Sequence, residues 1–158
     1  METVFFNTPL GIGTVTGDGN GITKVAITED PHITESTEVP HYLKTAIEQL
    51  QEYFNGKRTE FDLVLNPLGT DFQKKVWDEL LKVPFGKTAT YLDIAKRLGD
   101  PKCIRAAATA NGKNPLWIIV PCHRIIGSDG SLTGYAGGLW RKKWLLDLEN
   151  PVKQQSLF

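Results

Sequence analysis

Cys122 and His123 are adjacent in the run Trp117-Ile118-Ile119-Val120-Pro121-Cys122-His123-Arg124-Ile125-Ile126-Gly127, and a guanidinium follows them directly. A cysteine thiolate is a strong nucleophile, and a neighbouring imidazole or cation lowers its pKa. The pair therefore offers nucleophilic catalysis. The plainer reading is a packing cysteine, since free Cys is among the most buried residue types. Geometry adds a condition. Residues 118–120 read as a short buried strand by their β-branching, and Pro121 removes a ladder donor and ends it. Successive strand side chains point to opposite faces. Thiol and imidazole can couple only if the chain turns after Pro121, or through a water.

The last helix supplies a second chemical group. Trp140, Trp144, Leu145 and Leu148 define its apolar stripe, and Glu149 lies four residues after Leu145. That places a carboxylate at the buried edge, where an unpaired charge is expensive. His123 is the obvious partner. A helix-end acid facing water is the alternative.

The elements that must position these groups lie just upstream. Thr70-x-x-Gln73 is a capping box, and Phe72, Val76, Leu80 and Leu81 give the helix behind it an apolar face. Pro84-Phe85-Gly86 ends that helix. Thr90 caps a second helix through Leu98, with Leu92, Ala95 and Leu98 inward and Gly99 as terminator. Asp100-Pro101 opens a third, running to about Asn111. Two short helices joined by a tight glycine turn make a helix-turn-helix, and an ordinary helical hairpin fits the pattern as well. On the third helix Ile104, Ala107 and Ala108 share one stripe, and Lys102, Arg105 and Thr109 another. Side chains this small permit close approach to a groove, and a projecting arginine can enter a base stack. On residue type alone, Arg105 reads as a phosphate contact and Tyr91 as a core aromatic. Asn114 precedes Pro115 and is held out of the α region. Gly134-Tyr135-Ala136-Gly137-Gly138 is a flexible segment whose glycines admit close backbone approach.

The first half of the chain reads as scaffold. Thr3–Phe6, Gly11–Val15 and Ile22–Thr28 are β-type runs separated by turn chemistry, an antiparallel meander. A helix follows Pro40, with Leu43, Ala46, Ile47, Leu50 and Phe54 at helical spacing and Asn55-Gly56 as its close. Residues 61–65 read as one more strand, and 66–69 as a linker. The expected architecture is α+β: a small antiparallel-sheet domain over 1–67, a mostly helical domain over 68–150, and a flexible tail over 151–158.

Charge is divided between these halves. Residues 1–73 hold four basic and eleven acidic side chains, and residues 74–158 hold fourteen and seven, although the whole chain is neutral. Such asymmetry fits a second half that meets a polyanion. Two cysteines are too few for a disulfide framework and fit a reducing compartment. No Cys-x-x-Cys pair exists, so no metal is expected. No apolar run reaches the roughly 18 residues of a membrane span, and no signal peptide opens the chain. A cytoplasmic protein follows.

Pro121-Cys122-His123-Arg124, followed by Gly134-Tyr135-Ala136-Gly137-Gly138-Leu139, resembles the active-site signature of the O6-alkylguanine-DNA alkyltransferases of bacterial type, and the likeness runs from about Phe72 to Glu149. The resemblance implies a ribonuclease-H-like N-terminal domain and stoichiometric DNA repair. The alkyl group of a flipped O6-alkylguanine would pass to Cys122, inactivating the protein. It implies a Cys122–water–His123–Glu149 relay, an Asn114 hinge, and Tyr91 pressing on the flanking phosphate and lining the pocket. Arg105 would fill the space of the extruded nucleotide from the minor groove of duplex DNA. Tyr135 would wall the pocket, the amide of Ala136 would donate to O6, and the carbonyls of Cys122 and Ile125 would receive the guanine amine. Lys142 matches a family lysine near the site. No cofactor is implied, and a monomer is expected. Two other classes compete: a Cys-His-Glu thiol hydrolase, which would turn over, and a non-catalytic lesion sensor, which would not need the thiol. Lastly, Gln154, Ser156, Leu157 and Phe158 resemble the peptide with which bacterial proteins dock on the replicative sliding clamp.

Overall fold

The computed structural model describes residues 1–132, 135 and 137–150. It contains two compact units. Met1–Leu68 with Pro115–Ile119 form the first, and Gly69–Asn114 with the chain from Val120 onward form the second.

The first unit is built on three antiparallel strands in the order β1-β2-β3: β1 (Glu2–Thr8), β2 (Gly11–Asp18) and β3 (Gly21–Thr28). Val4 pairs with Val15 and Val15 with Val25, so the β-branched residues of one face line up across the sheet. Helix α1 (His41–Phe54) packs on that face, burying Leu43, Ala46, Ile47 and Leu50. Gln49 is buried beside them. Its amide takes both main-chain groups of Asp62, donating to the carbonyl at 3.0 Å and accepting from the amide at 2.9 Å.

The fourth strand expected over residues 61–65 does not form. Only Leu65 bridges, to Ile22, because the outer edge of β3 is shared between two segments. Residues 64–66 occupy its start, through Ile22 N–H to Val64 O at 2.8 Å. Residues 115–117 occupy its middle, through Val25 N–H to Pro115 O at 2.8 Å. Each segment has room for one bridge.

The second unit holds α2 (Asp71–Leu80), β4 (Ala89–Thr90), α3 (Tyr91–Arg97), α4 (Ile104–Gly112), β5 (Ile125–Ile126) and α5 (Leu139–Glu149). Thr70 and Gln73 close a capping box on α2, and Thr90 and Asp93 close another on α3. Gly99 adopts φ +95°, a conformation that β-carbon sterics disfavour, and turns the chain from α3 into the Pro101–Cys103 turn that starts α4. Helices α2, α3 and α4 pack mutually. The Trp77 indole N–H donates to Ala110 O at 2.9 Å and ties α2 to α4.

Three helix faces differ from the apolar pattern. On α2 the buried residues are Val76, Trp77 and Leu80, while Phe72 and Leu81 are exposed. On α4 the inner stripe is Ala107, Ala110 and Asn111. On α5 the buried residues are Arg141, Lys142, Leu145 and Glu149, and Trp140 is 55% exposed. A wheel drawn from hydropathy misplaces α5 because its long charged side chains find partners inside the unit.

Candidate active site

Residues 118–120 form no strand. The backbone reaches Cys122 through two three-residue turns instead. Ile119 N–H donates to Trp117 O at 2.8 Å around Ile118, whose φ is +71°. Cys122 N–H then donates to Val120 O at 2.8 Å around Pro121, at φ −82° and ψ 64°. The first is the rare positive-φ γ-turn and the second its common inverse. A β-branched residue at positive φ is strained, so packing must hold it there; Ile118 is 1% exposed. Residues 122–124 close into a single 3₁₀ turn, with Arg124 N–H donating to Pro121 O at 3.0 Å. Coupling between thiol and imidazole required a bend after Pro121, and the chain makes one there.

Asn114, two residues beyond α4, donates its side-chain amide to Val120 O at 2.8 Å and hydrogen-bonds the Cys122 thiol. It links the end of α4 to the cysteine turn. Tyr135 is half-buried and favours the thiolate. Burial pushes the Cys122 pKa up, and Asn114, the Lys142 charge and Tyr135 only partly oppose it. The resting cysteine is therefore a thiol.

His123 has no solvent exposure. Its Nε2 lies 2.7 Å from Glu149 Oε2. Burial pushes the imidazole pKa down; Glu149 opposes this, while Arg124 and Lys142 add to it. The ring is neutral near pH 7. With Nε2–H directed at a carboxylate, the lone pair sits on Nδ1, a tautomer assigned from the hydrogen-bond network. Nδ1 is buried and finds no hydrogen-bond partner among the described residues. An unprotonated nitrogen in that position is a proton acceptor.

Glu149 is 2% exposed. Burial alone would raise its pKa, but the hydrogen bond from His123 and the hydrogen bonds and charge of Arg124 outweigh this and hold it at about 2. Arg124 Nε donates to Oε1 at 2.7 Å and Nη2 to Oε2 at 3.1 Å, and Nη1 donates to Val83 O at 2.7 Å. The sequence pattern marks Arg124 only as a cation next to the Cys-His pair and does not connect it to Glu149. One signal was present: a carboxylate buried with two oxygens cannot be satisfied by one imidazole N–H.

Lys142 is fully buried and donates to Ile125 O at 2.6 Å, with its ammonium 5.9 Å from the centroid of the Tyr91 ring. Burial pulls its pKa down, and Cys122, when ionised, pulls it back. The carbonyl expected to receive a guanine amine thus already accepts one donor. Tyr91 opens α3, and strands β4 and β5 pair in parallel, Ala89 with Ile125, which sets Tyr91 beside the cysteine turn. Arg105 and Thr109 are exposed on α4, and Lys102 is exposed on the turn that starts it. Ala136 and the tail lie outside the described residues. Among the described residues no helix is long and apolar enough to cross a membrane.

A buried thiol next in sequence to a neutral imidazole paired with an ionised carboxylate, carried by a helix-turn-helix unit, defines a thiol-bearing protein on a helix-turn-helix scaffold. Comparison with known proteins makes this specific. Residues 71–151 match the family model described as 6-O-methylguanine DNA methyltransferase, DNA binding domain, and residues 2–67 match its ribonuclease-like domain. The methylated-DNA–protein-cysteine methyltransferase of Mycobacterium tuberculosis is 47% identical over 146 residues, 90% of this chain and 88% of the relative. That of Methanosarcina acetivorans is 44% identical over 156 residues, 94% of this chain and 98% of the relative. The crystal structure of Mycobacterium tuberculosis OGT in complex with DNA superposes with a TM-score of 0.84 at 43% identity, covering 99% of both chains. The chain belongs to the 6-O-methylguanine DNA methyltransferase family. Its activity is DNA repair by alkyl transfer to a protein cysteine, and DNA is its partner.

Proposed function

We propose that the acceptor is Cys122 and that each molecule acts once. The observation that carries this reading is the relay geometry: a buried thiol adjacent in sequence to a neutral imidazole whose Nε2 is engaged by Glu149 and whose Nδ1 is open. An O6-alkylguanine is rotated out of the duplex into the site. The thiol proton passes through a bridging water to His123 Nδ1, forming an imidazolium held by Glu149. The sulfur then attacks the alkyl carbon; the S–C bond forms as the C–O6 bond breaks. The departing guanine takes up one proton, assisted by the Tyr91 hydroxyl, which balances the proton lost from sulfur. The product is a thioether with no leaving group as good as guanine, so the step does not reverse.

Binding is assigned to α4 in the minor groove, with Arg105 in the space of the extruded nucleotide. Asn114 keeps the cysteine turn in register with α4, Tyr135 and the Ala136 amide bound the base, and Lys142 holds the Ile125 carbonyl. Arg105→Ala should slow repair of duplex substrate about tenfold or more while leaving repair of a single-stranded oligonucleotide near wild type, because only the duplex must be unstacked. Equal rates on both, compared by single-turnover quench, would remove Arg105 from base extrusion.

The protein is assigned to the cytoplasm, with the nucleoid, and acts as a monomer. Gln154, Ser156, Leu157 and Phe158 form a docking peptide for the replicative sliding clamp. Deleting residues 154–158 should abolish clamp binding in a pull-down with purified clamp and leave alkyl transfer intact. Clamp affinity that survives the deletion, or is absent in the full chain, disposes of that assignment.

A further inference from the structure

We propose that Arg124 is a positioning residue of the proton relay: its guanidinium spans both oxygens of Glu149 and the Val83 carbonyl, and so fixes which nitrogen of His123 stays open to the thiol proton. The inference rests on the reading of Cys122, His123 and Glu149 given above and adds the device that sets their protonation pattern.

A buried carboxylate–imidazole pair has two low-energy arrangements. In one the carboxylate is ionised and accepts from Nε2–H, leaving the lone pair on Nδ1. In the other the carboxylic acid donates to Nε2, and the ring proton sits on Nδ1. Only the first can accept a proton on the side of the thiol. Arg124 selects it. Nε and Nη2 occupy Oε1 and Oε2 at 2.7 and 3.1 Å, a two-point contact that a protonated carboxyl cannot match. The third arm is anchored elsewhere, at Val83 O just past α2, and the guanidinium lies 5.8 Å from the Phe85 ring centroid. The fork is therefore oriented by the α2–β4 connection as well as by the carboxylate.

The other charged groups near this pair do not impose the same choice. Lys142, from α5, directs its ammonium at Ile125 O. Lys87 and Asp147 line, with Glu149, a cavity of about 490 Å³. Cys122 itself hydrogen-bonds Asn114. Lysine at position 124 would keep the charge but lose the planar fork, which makes it the informative variant.

The test uses full-length protein with Cys103→Ser, so that ultraviolet thiolate absorbance reports Cys122 alone. Arg124→Met should lose about tenfold or more in transfer rate at neutral pH, with the pH midpoints of rate and thiolate formation moved upward together. Arg124→Lys should fall between. Binding to alkylated duplex should stay unchanged in both. A purely structural role would lower thermal stability and leave both midpoints in place, which overturns the proposal. Should the variants not fold, imidazole ¹⁵N shifts of the unmutated protein decide: protonated Nε2 and bare Nδ1 support it, and the reverse sinks it. The thiolate and tautomer readings need no DNA, so their failure is distinguishable from failure of the repair reaction itself.

Discussion

Cys122→Ala yields a protein that binds alkylated duplex DNA and transfers nothing. The substitution removes the only atom that forms a bond with substrate in this account, so the loss is complete rather than graded. Packing changes little: the thiol is small, and the three-residue turns that deliver it are closed by main-chain bonds rather than by sulfur. In this account binding rests on α4 and on the pocket residues, whose identities the substitution leaves unchanged. Electrophoretic or anisotropy titration against O6-methylguanine duplex, beside a transfer assay, checks both halves. Loss of binding would mean that the sulfur also organises the pocket, and residual transfer would mean that another residue accepts the alkyl group.

Glu149→Ala carries the second largest effect, and it acts on two quantities. Transfer should slow by about 10²–10⁴-fold, the usual worth of a positioned acid–base group, because His123 loses the group that sets its tautomer and supports its charge. Stability should fall by about 3–5 kcal/mol, because the Arg124 guanidinium is left buried without its carboxylate. The pH dependence of the unmutated protein has a fixed sign. The Glu149 carboxyl, at about 2 in the fold against an ordinary 4.5, contributes stability above the unfolded value that is lost as pH falls toward 2. That contribution is on the order of 3 kcal/mol. His123 is held neutral by burial, so the unfolded chain binds its proton first and stability begins to fall below about pH 6.5. Both groups push the same way. Urea unfolding between pH 7 and pH 3 should show a steady decline that is shallower in Glu149→Ala; parallel curves would contradict it.

Much of this arrangement is legible in the residues, and the exceptions have physical causes. The sheet meander, the capping boxes at Thr70 and Thr90 and the turn at Gly99 are local, so short-range chemistry specifies them. The burial of Glu149 follows from its spacing to Leu145. Residues 61–65 mislead because pairing needs a free strand edge, and β3 shares its edge with residues 115–117; residues 118–120 mislead because β-branching describes a preference, whereas the chain turns around Ile118 and Pro121. Ile118 even occupies a conformation its side chain disfavours. Helix α5 misleads for a different reason. A stripe drawn through Trp140 and Trp144 assumes that charge faces water, whereas Arg141 donates to Gly137 O just before the helix, and Lys142 and Glu149 are received by Ile125 O and His123 from a distant segment. Arg124 escapes a sequence reading on the same ground: its three partners lie at positions 83 and 149, and no local pattern connects them.

Intact-mass spectrometry after exposure to excess O6-methylguanine DNA, with peptide mapping of the product, tests the central claim most directly. The account predicts one added methyl per molecule, located on Cys122, with unmodified guanine in the DNA and no further repair by the modified protein. Repaired DNA with an unmodified Cys122, or many lesions repaired by each molecule, would contradict it.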